Sequence, residues 1–250
     1  MPSFLITGAG RGIGLSLVAS LVKDAKNKVI ATARDPKNSE GLQTLAKQYT
    51  DASRLVVLPL DISQSAEITK IAEEVTKILP NGLDYLVNNA GVDFQGSATF
   101  ENLDSDLFLK EIKLNTISII EILTAFKPLL AKSQEKKVVT ISSRLGSLTE
   151  SVYTASVMRG YSITKAALNI TIRKWTADHF AATGITSTLI HPGIVKTNIG
   201  AGVEGFAKVA GIPVITPEES AEHIVKLIGD SSKFSKNPEF YNYDGSSVPW

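Results

Sequence analysis

Short apolar runs alternate with helix-length segments along almost the whole chain, and this alternation narrows the fold more than any other feature. Residues 3–7, 28–33, 55–58, 83–87, 137–141 and 185–190 read as strands, with 240–241 as a short seventh. Between them, residues 13–22, 38–49, 64–79, 103–130, 166–180 and 217–228 read as helices. A strand followed by a helix and another strand cannot close as a hairpin, so the strands pair in parallel and each crossover carries a helix. The strands are apolar along their length rather than alternating, as a sheet covered on both faces requires. The expected architecture is α/β: a single-domain, Rossmann-type doubly wound parallel sheet of about seven strands with helices on both faces. With 43% hydrophobic residues in 250, one core spanning residues 1–250 is enough. There is no repeat, low-complexity tract or linker. The loosest stretches are 200–213, rich in Gly and Ala and readable as a lid or as a plain surface connection, and 231–238.

The first strand runs into Thr7-Gly8-Ala9-Gly10-Arg11-Gly12-Ile13-Gly14, which opens the first helix. Glycines there allow a tight turn and close approach of backbone to a pyrophosphate, and the helix start offers free N–H groups and a positive dipole end. At this loop the chain resembles the short-chain dehydrogenase/reductase family, whose signature is T-G-x-x-x-G-x-G. Further matches follow in order: Asn88-Asn89-Ala90-Gly91, Asn115, Ser142-Ser143, Tyr161-Ser162-Ile163-Thr164-Lys165, and Pro192-Gly193 with Thr197 beyond. The Ile141 to Ser147 strand end, the Lys165 to Asn169 segment and the Tyr243-Asp244-Gly245 tail ending Pro249-Trp250 are most similar to the sniffer-like and C-factor-like carbonyl reductases, and fungal ketoreductases share much of the pattern.

Carbonyl reduction needs hydride on carbon and a proton on oxygen; a nicotinamide supplies the first and the protein the second. Tyr161 and Lys165 stand four apart on an expected helix, so both project from one face. A neighbouring ammonium is expected to lower the phenol from its ordinary ~10. Ser143, three residues before Gly146, is the expected donor to the substrate oxygen, leaving Ser142 to the core or the strand end. Its separation of 18 residues from Tyr161 is longer than the family's usual spacing, the surplus lying in 148–160. The resemblance makes Asn115 a kink holding a water that bridges to Lys165. It also implies that Asp61 and Ile62 flank an adenine, that Asn88, Ala90 and Gly91 line the nucleotide cleft, and that Ile194 and Thr197 meet the carboxamide.

The choice of nucleotide is read at the end of the second strand. A ribose with free hydroxyls is usually held there by a carboxylate. Here that position is Ala33, followed by Arg34, and Arg11 adds a second cation. A guanidinium pairs with a 2′-phosphate and a carboxylate would repel it, so the expected cofactor is NADPH/NADP⁺ rather than NADH/NAD⁺. Asp35, just before Pro36, is expected to turn outward.

Other chemistries are narrowed by composition. There is no cysteine, which excludes disulfides, thiolate catalysis and Cys-ligated zinc. His179, His191 and His223 share no ligand spacing, so no metal site is expected, and His191 reads as backbone packing. A net charge of +1 carries no nucleic-acid or membrane footprint. No apolar run approaches the ~20 residues of a membrane span, and the start of the chain does not read as a signal peptide. The expectation is a soluble cytoplasmic enzyme acting on a hydrophobic small-molecule ketone, aldehyde or quinone. An NAD-linked alcohol or steroid dehydrogenase and a non-catalytic dinucleotide sensor are the alternatives. The resemblance implies a homodimer or homotetramer paired through the helices bearing Asn115 and Tyr161.

Overall fold

The computed structural model describes residues 1–49 and 54–250. Nine strands and eight helices follow in chain order among them: β1 Ser3–Ile6, α1 Gly12–Leu21, β2 Lys28–Ala33, α2 Glu40–Gln48, β3 Leu55–Pro59, α3 Ser65–Ile78, β4 Tyr85–Asn88, α4 Ser105–Ile112, α5 Ser118–Lys132, β5 Lys137–Ile141, α6 Arg159–Thr183, β6 Thr186–His191, β7 Ile194–Val195, α7 Glu204–Ala210, β8 Val214–Ile215, α8 Pro217–Gly229 and β9 Phe240–Asn242. Seven strands form one sheet in the order β3-β2-β1-β4-β5-β6-β9, every pairing parallel. This is the doubly wound Rossmann-type sheet that the alternation implies.

Both faces of the sheet are covered. On one face Leu5, Ile30, Leu86, Val138 and Leu189 pack with Phe126 of α5, Leu168 and Ile172 of α6, and Ile68 of α3. On the other, Ile6, Val29, Val87, Val139 and Ile190 pack with Leu17 of α1, Leu42 of α2 and Ile224 of α8. Neighbouring strand residues fall into opposite clusters, the period of two expected of a strand. Helix ends follow local chemistry. Asp104 caps α4 by accepting from the N–H groups of Asp106 and Leu107. Thr216 and Glu219 form a reciprocal capping box on α8, with Pro217 at its first turn. Gly184 ends α6 at φ +72°.

Three regions differ from the expectations. The segment 103–130 is a rod running from Ser105 to Lys132, but one wide π turn, Lys113–Ile117, separates α4 from α5. A π bulge lets the helix shift register without breaking, and it falls at the expected asparagine kink. By length and mean composition this rod could cross a membrane, although charged residues such as Lys110, Glu111, Lys113 and Glu121 interrupt its apolar runs. Half of its most apolar stretch is buried within the fold, where Ile119, Ile122, Leu123 and Phe126 complete the core. The stretch 200–213 is ordered by α7 and by a two-stranded ribbon of β7 and β8, too short to show as a hydrophobic pattern. The insert 148–160 is pinned at its start, where Thr149 donates through both N–H and Oγ1 to the main-chain oxygen of Trp250, at 2.8 and 2.6 Å. The Trp250 ring in turn packs on Phe240, 5.8 Å between centroids.

Candidate active site

The strand order reverses around β1, whose neighbours β2 and β4 lead to opposite halves of the sheet. Crevices at such a switch point, beyond the carboxyl ends of the strands, are where open α/β sheets take ligands. The loops that meet there are joined by hydrogen bonds. Thr7 Oγ1 accepts from the N–H groups of Asn89 and Ala90, both at 3.1 Å. The Asn89 side chain returns the contact, donating to the Thr7 and Gly8 carbonyls at 2.9 and 3.2 Å. Gly8, at φ +68°, has room for no side chain: a Cβ there would lie 2.8 Å from Ala90 Cα. A Cβ on Gly14 would lie 2.4 Å from the Gly8 carbonyl oxygen. The first turn of α1 has no side-chain cap and no acidic residue, so its positive end is left unneutralised.

Ala33 is buried and packs close to Gly10, so no carboxylate occupies the end of β2. Arg11 and Arg34 are exposed, and neither forms a salt bridge among the described residues. Asp35 turns onto Asn38, accepting from its N–H and its amide at 3.2 and 2.7 Å, which holds its carboxyl below the usual range. Asp61 accepts from the N–H of Ser63 at 2.9 Å, while the Ile62 side chain joins the core.

A cavity of about 660 Å³ opens beyond β4, β5 and β6. Its wall brings together Ile13, Gly91, Ser143, Tyr161, Lys165, Pro192, Gly193, Ile194 and Thr197. Gly8, Gly10, Arg11, Gly12, Gly14, Arg34, Asp61, Ile62 and Ala90 lie outside that wall. Asn88 does too, because strand alternation turns its amide inward to Thr140 Oγ1 at 3.4 Å, and the next residue, Asn89, lines the cavity instead. Both serines line the cavity, but Ser142 Oγ is engaged, donating to Asn169 on α6 at 2.5 Å. Ser143 accepts from the Leu145 N–H at 3.2 Å, and its own O–H has no acceptor among the described residues.

Tyr161 and Lys165 are both buried on α6. Lys165 Nζ lies 5.6 Å from the Tyr161 ring centroid and donates to the Ile141 carbonyl at 3.0 Å. Burial pushes the Lys165 ammonium down to about 8. Burial pushes the Tyr161 phenol up, and the Asp93 carboxylate adds to this. The shift is opposite to the expected lowering, because desolvation of a phenolate dominates and the Lys165 ammonium is engaged with a carbonyl. Gly91 is the spacer between these groups: a Cβ there would lie 3.4 Å from Asn115 Oδ1 and 3.6 Å from Lys165 Nζ.

Asn115 sits in the π turn with its amide engaged. Its Oδ1 accepts from the Val92 N–H at 2.8 Å, and its Nδ2 donates to the Val92 carbonyl and to Thr164 Oγ1 at 2.8 and 3.0 Å. The side chain at the kink thus grips the loop after β4. Sequence reasoning also passed over Arg144, whose guanidinium pairs with Glu150 in the insert through two contacts. His191, read from the sequence as backbone packing, is buried and lines the cavity, and burial and then Arg144 push it down to about 3. Arg144 lies in no recognisable spacing.

Comparison with known proteins now bears on this geometry. A family model described as short chain dehydrogenase matches residues 3–205. The chain belongs to the short-chain dehydrogenase family. Members of this family are oxidoreductases, and the chain is an enzyme of that class. An uncharacterised oxidoreductase of Schizosaccharomyces pombe is 32% identical over 99% of this chain and 97% of its own length. The NADPH-bound carbonyl reductase from chicken fatty liver superposes with a TM-score of 0.86 at 30% identity, covering 100% of this chain and 99% of the other. The carbonyl reductase Sniffer of D. melanogaster gives the same TM-score, 0.86, at 28% identity with full coverage of both chains.

The hydrogen bonds at Thr7 lead to a direct test of what holds this family site open. Thr7→Val keeps shape but leaves two backbone N–H groups without an acceptor. Each such loss costs about 1–3 kcal/mol. Unfolding in urea is expected to show a loss of about 2 kcal/mol or more; a change under about 0.5 kcal/mol would mean that the loops are held by other contacts.

Proposed function

We propose that this chain is an NADPH-dependent carbonyl reductase of hydrophobic ketones, aldehydes or quinone-like compounds, with Tyr161 as the proton donor. The observation that carries the reading is the convergence of Ser143, Tyr161 and Lys165 on one cavity walled by Leu145, Val157, Met158, Ile199, Val203 and Phe206. The chicken and fly carbonyl reductases support it by fold, and the first by its bound NADPH.

A dinucleotide fits the residues present. Gly8 and Gly14 let the loop pack tightly against Ala90 and on itself, and the uncapped start of α1 would take the pyrophosphate through Gly12, Ile13 and Gly14. Gly10, Ala90, Gly91 and the 192–197 segment would line the remainder, with Asp61 toward the adenine. Arg11 and Arg34 would hold a 2′-phosphate, a role supported by their exposure, by the absence of a carboxylate at Ala33 and by the engagement of Asp35 with Asn38. NADPH when bound supplies the hydride.

The remaining roles belong to the protein. The free Ser143 O–H donates to the substrate carbonyl oxygen. Tyr161 delivers its proton to that oxygen, and a phenol raised by burial stays protonated at neutral pH, as a donor must. Lys165, charged below about 8, offsets the phenolate that delivery leaves. Asn115 acts as a positioning residue that fixes Val92 and Gly91. Pairing into a homodimer or homotetramer is supported by exposed Ile120 of α5 and Ile163 and Ile170 of α6.

A coupled NADPH-oxidation assay over activated ketones and quinones tests the reading; no turnover with any of them would refute it. Arg34→Asp is expected to weaken NADPH and improve NADH, and wild-type preference for NADH would overturn the nucleotide assignment. Tyr161→Phe keeps the ring and should lower turnover by ~10²-fold or more with nucleotide binding retained. Tyr153→Phe is the control: Tyr153 lines the same cavity but has no lysine four residues on. For Lys165 the sign follows from its lowered value: the charge is present below about 8 and lost above it. The kcat/KM for reduction should therefore fall as pH rises through about 8, and Lys165→Met should be slow and lack that step. Identical pH profiles for Lys165→Met and wild type would remove the lysine from the reaction.

A further inference from the structure

The insert behind the long separation of Ser143 from Tyr161 forms one wall of the cavity. Tyr153, Thr154, Val157 and Met158 line it. Val157 and Met158 are buried in one cluster with Tyr161, and Val203 and Phe206 of the facing segment pack against that cluster.

Across its middle the insert is held by itself. The Tyr153 N–H donates to the Glu150 carbonyl at 3.0 Å, Thr154 to Ser151 at 3.3 Å and Val157 to Thr154 at 2.9 Å. Among the described residues, no hydrogen bond made by residues 151–155 leaves the insert. Where the wall stands is therefore decided at its two ends.

The far end is a forced turn. Met158 is a non-glycine residue in the left-handed region, at φ +44°. Such a conformation persists only where the surroundings impose it. Ser162 of α6 holds it, donating through N–H and Oγ to the Met158 carbonyl at 2.8 and 2.9 Å.

The near end has two points of attachment. Thr149 is bound to the main chain of Trp250, whose ring lies on Phe240 and under the Arg173 guanidinium, 4.4 Å from the ring centroid. A chain fixed at one residue can still pivot about it. Glu150, the next residue, supplies the second point. Its N–H turns back to Ser147 Oγ at 3.2 Å, and its carboxylate takes the Arg144 guanidinium in a two-point fork, Nε to Oε2 at 2.8 Å and Nη2 to Oε1 at 2.5 Å. Arg144 directly follows Ser143 at the end of β5, and both members of the pair line the cavity. Among the described residues no other cation pairs with Glu150.

We propose that Arg144 and Glu150 act as one positioning element, a latch that sets the direction of the 150–158 wall and thereby the size of carbonyl substrate the cleft accepts. The effect on substrate rests on the reductase reading; the latch itself does not. A substrate large enough to lie against Val157 and Met158 while its carbonyl meets Ser143 and Tyr161 depends on the latch. One too small to reach the wall does not.

Glu150→Ala, Arg144→Ala and the double variant test this. A partly exposed ion pair adds little to global stability, so melting temperatures of the full chain should stay within about 3 °C of wild type. In the reductase assay, KM for a bulky aryl ketone should rise about three- to fivefold in each single variant and no further in the double, because two residues acting as one unit are not additive. KM for butanedione and the Kd for NADPH should not move. Equal changes for the large and small substrates, no change for either, or multiplied losses in the double variant would each overturn the proposal. Hydrogen exchange reads the latch without turnover: the amides of Tyr153, Thr154 and Val157 should exchange faster in all three variants, with the sheet unchanged. Wild-type exchange there would overturn the latch. If wild type reduces no carbonyl at all, the reductase reading fails, and the exchange rates still decide whether the latch exists.

Discussion

Everything in the cleft depends on how closely the loop after β1 approaches the loop after β4. Gly8 lies against Ala90 with no space for a side chain, and Thr7 and Asn89 exchange hydrogen bonds across the same gap. Those bonds satisfy backbone groups that would otherwise be stranded at the end of a fully buried sheet. They also set where Gly91 lies, and Gly91 separates Asn115 from Lys165. The glycine loop and the Tyr161–Lys165 pair thus belong to one connected structure.

The cleft is polar at points and apolar over most of its wall, and burial governs its electrostatics. Tyr161 is pushed up and Lys165 down for the same reason: each charged form loses solvent. The two shifts leave a phenol raised by burial beside an ammonium pushed down to about 8. The π turn contributes by geometry rather than charge. Widening the helix by one residue presents Asn115 to Val92 while Glu111 meets Phe94.

Much of the site was legible because its parts are local. The phosphate-binding loop needs a strand, glycines and a helix in immediate succession, and residues 3–21 supply them. Tyr161 and Lys165 needed only helical spacing, although α6 begins seven residues earlier than periodicity marked it, at Arg159 rather than residue 166. Of the two serines, Ser142 is engaged with Asn169 and Ser143 keeps its O–H without an acceptor among the described residues. Which of the two asparagines lines the cavity could not be read from the pattern, because a β-strand reverses its face at every step and the end of β4 turns Asn89 toward it.

The amino-acid sequence determined what short-range geometry determines: the order of strands and helices, the parallel sheet, the glycine loop, the Tyr161–Lys165 pair and the missing carboxylate at Ala33. Only the tertiary structure decided the rest. The sign of the Tyr161 shift depends on how much solvent the packed elements exclude, and spacing along a helix carries no information about that. The Glu111–Phe94 hydrogen bond and the place of His191 in the cavity wall join residues whose partners lie on other elements. No local pattern marks such contacts, because what brings them together is the packing of helices onto a completed sheet.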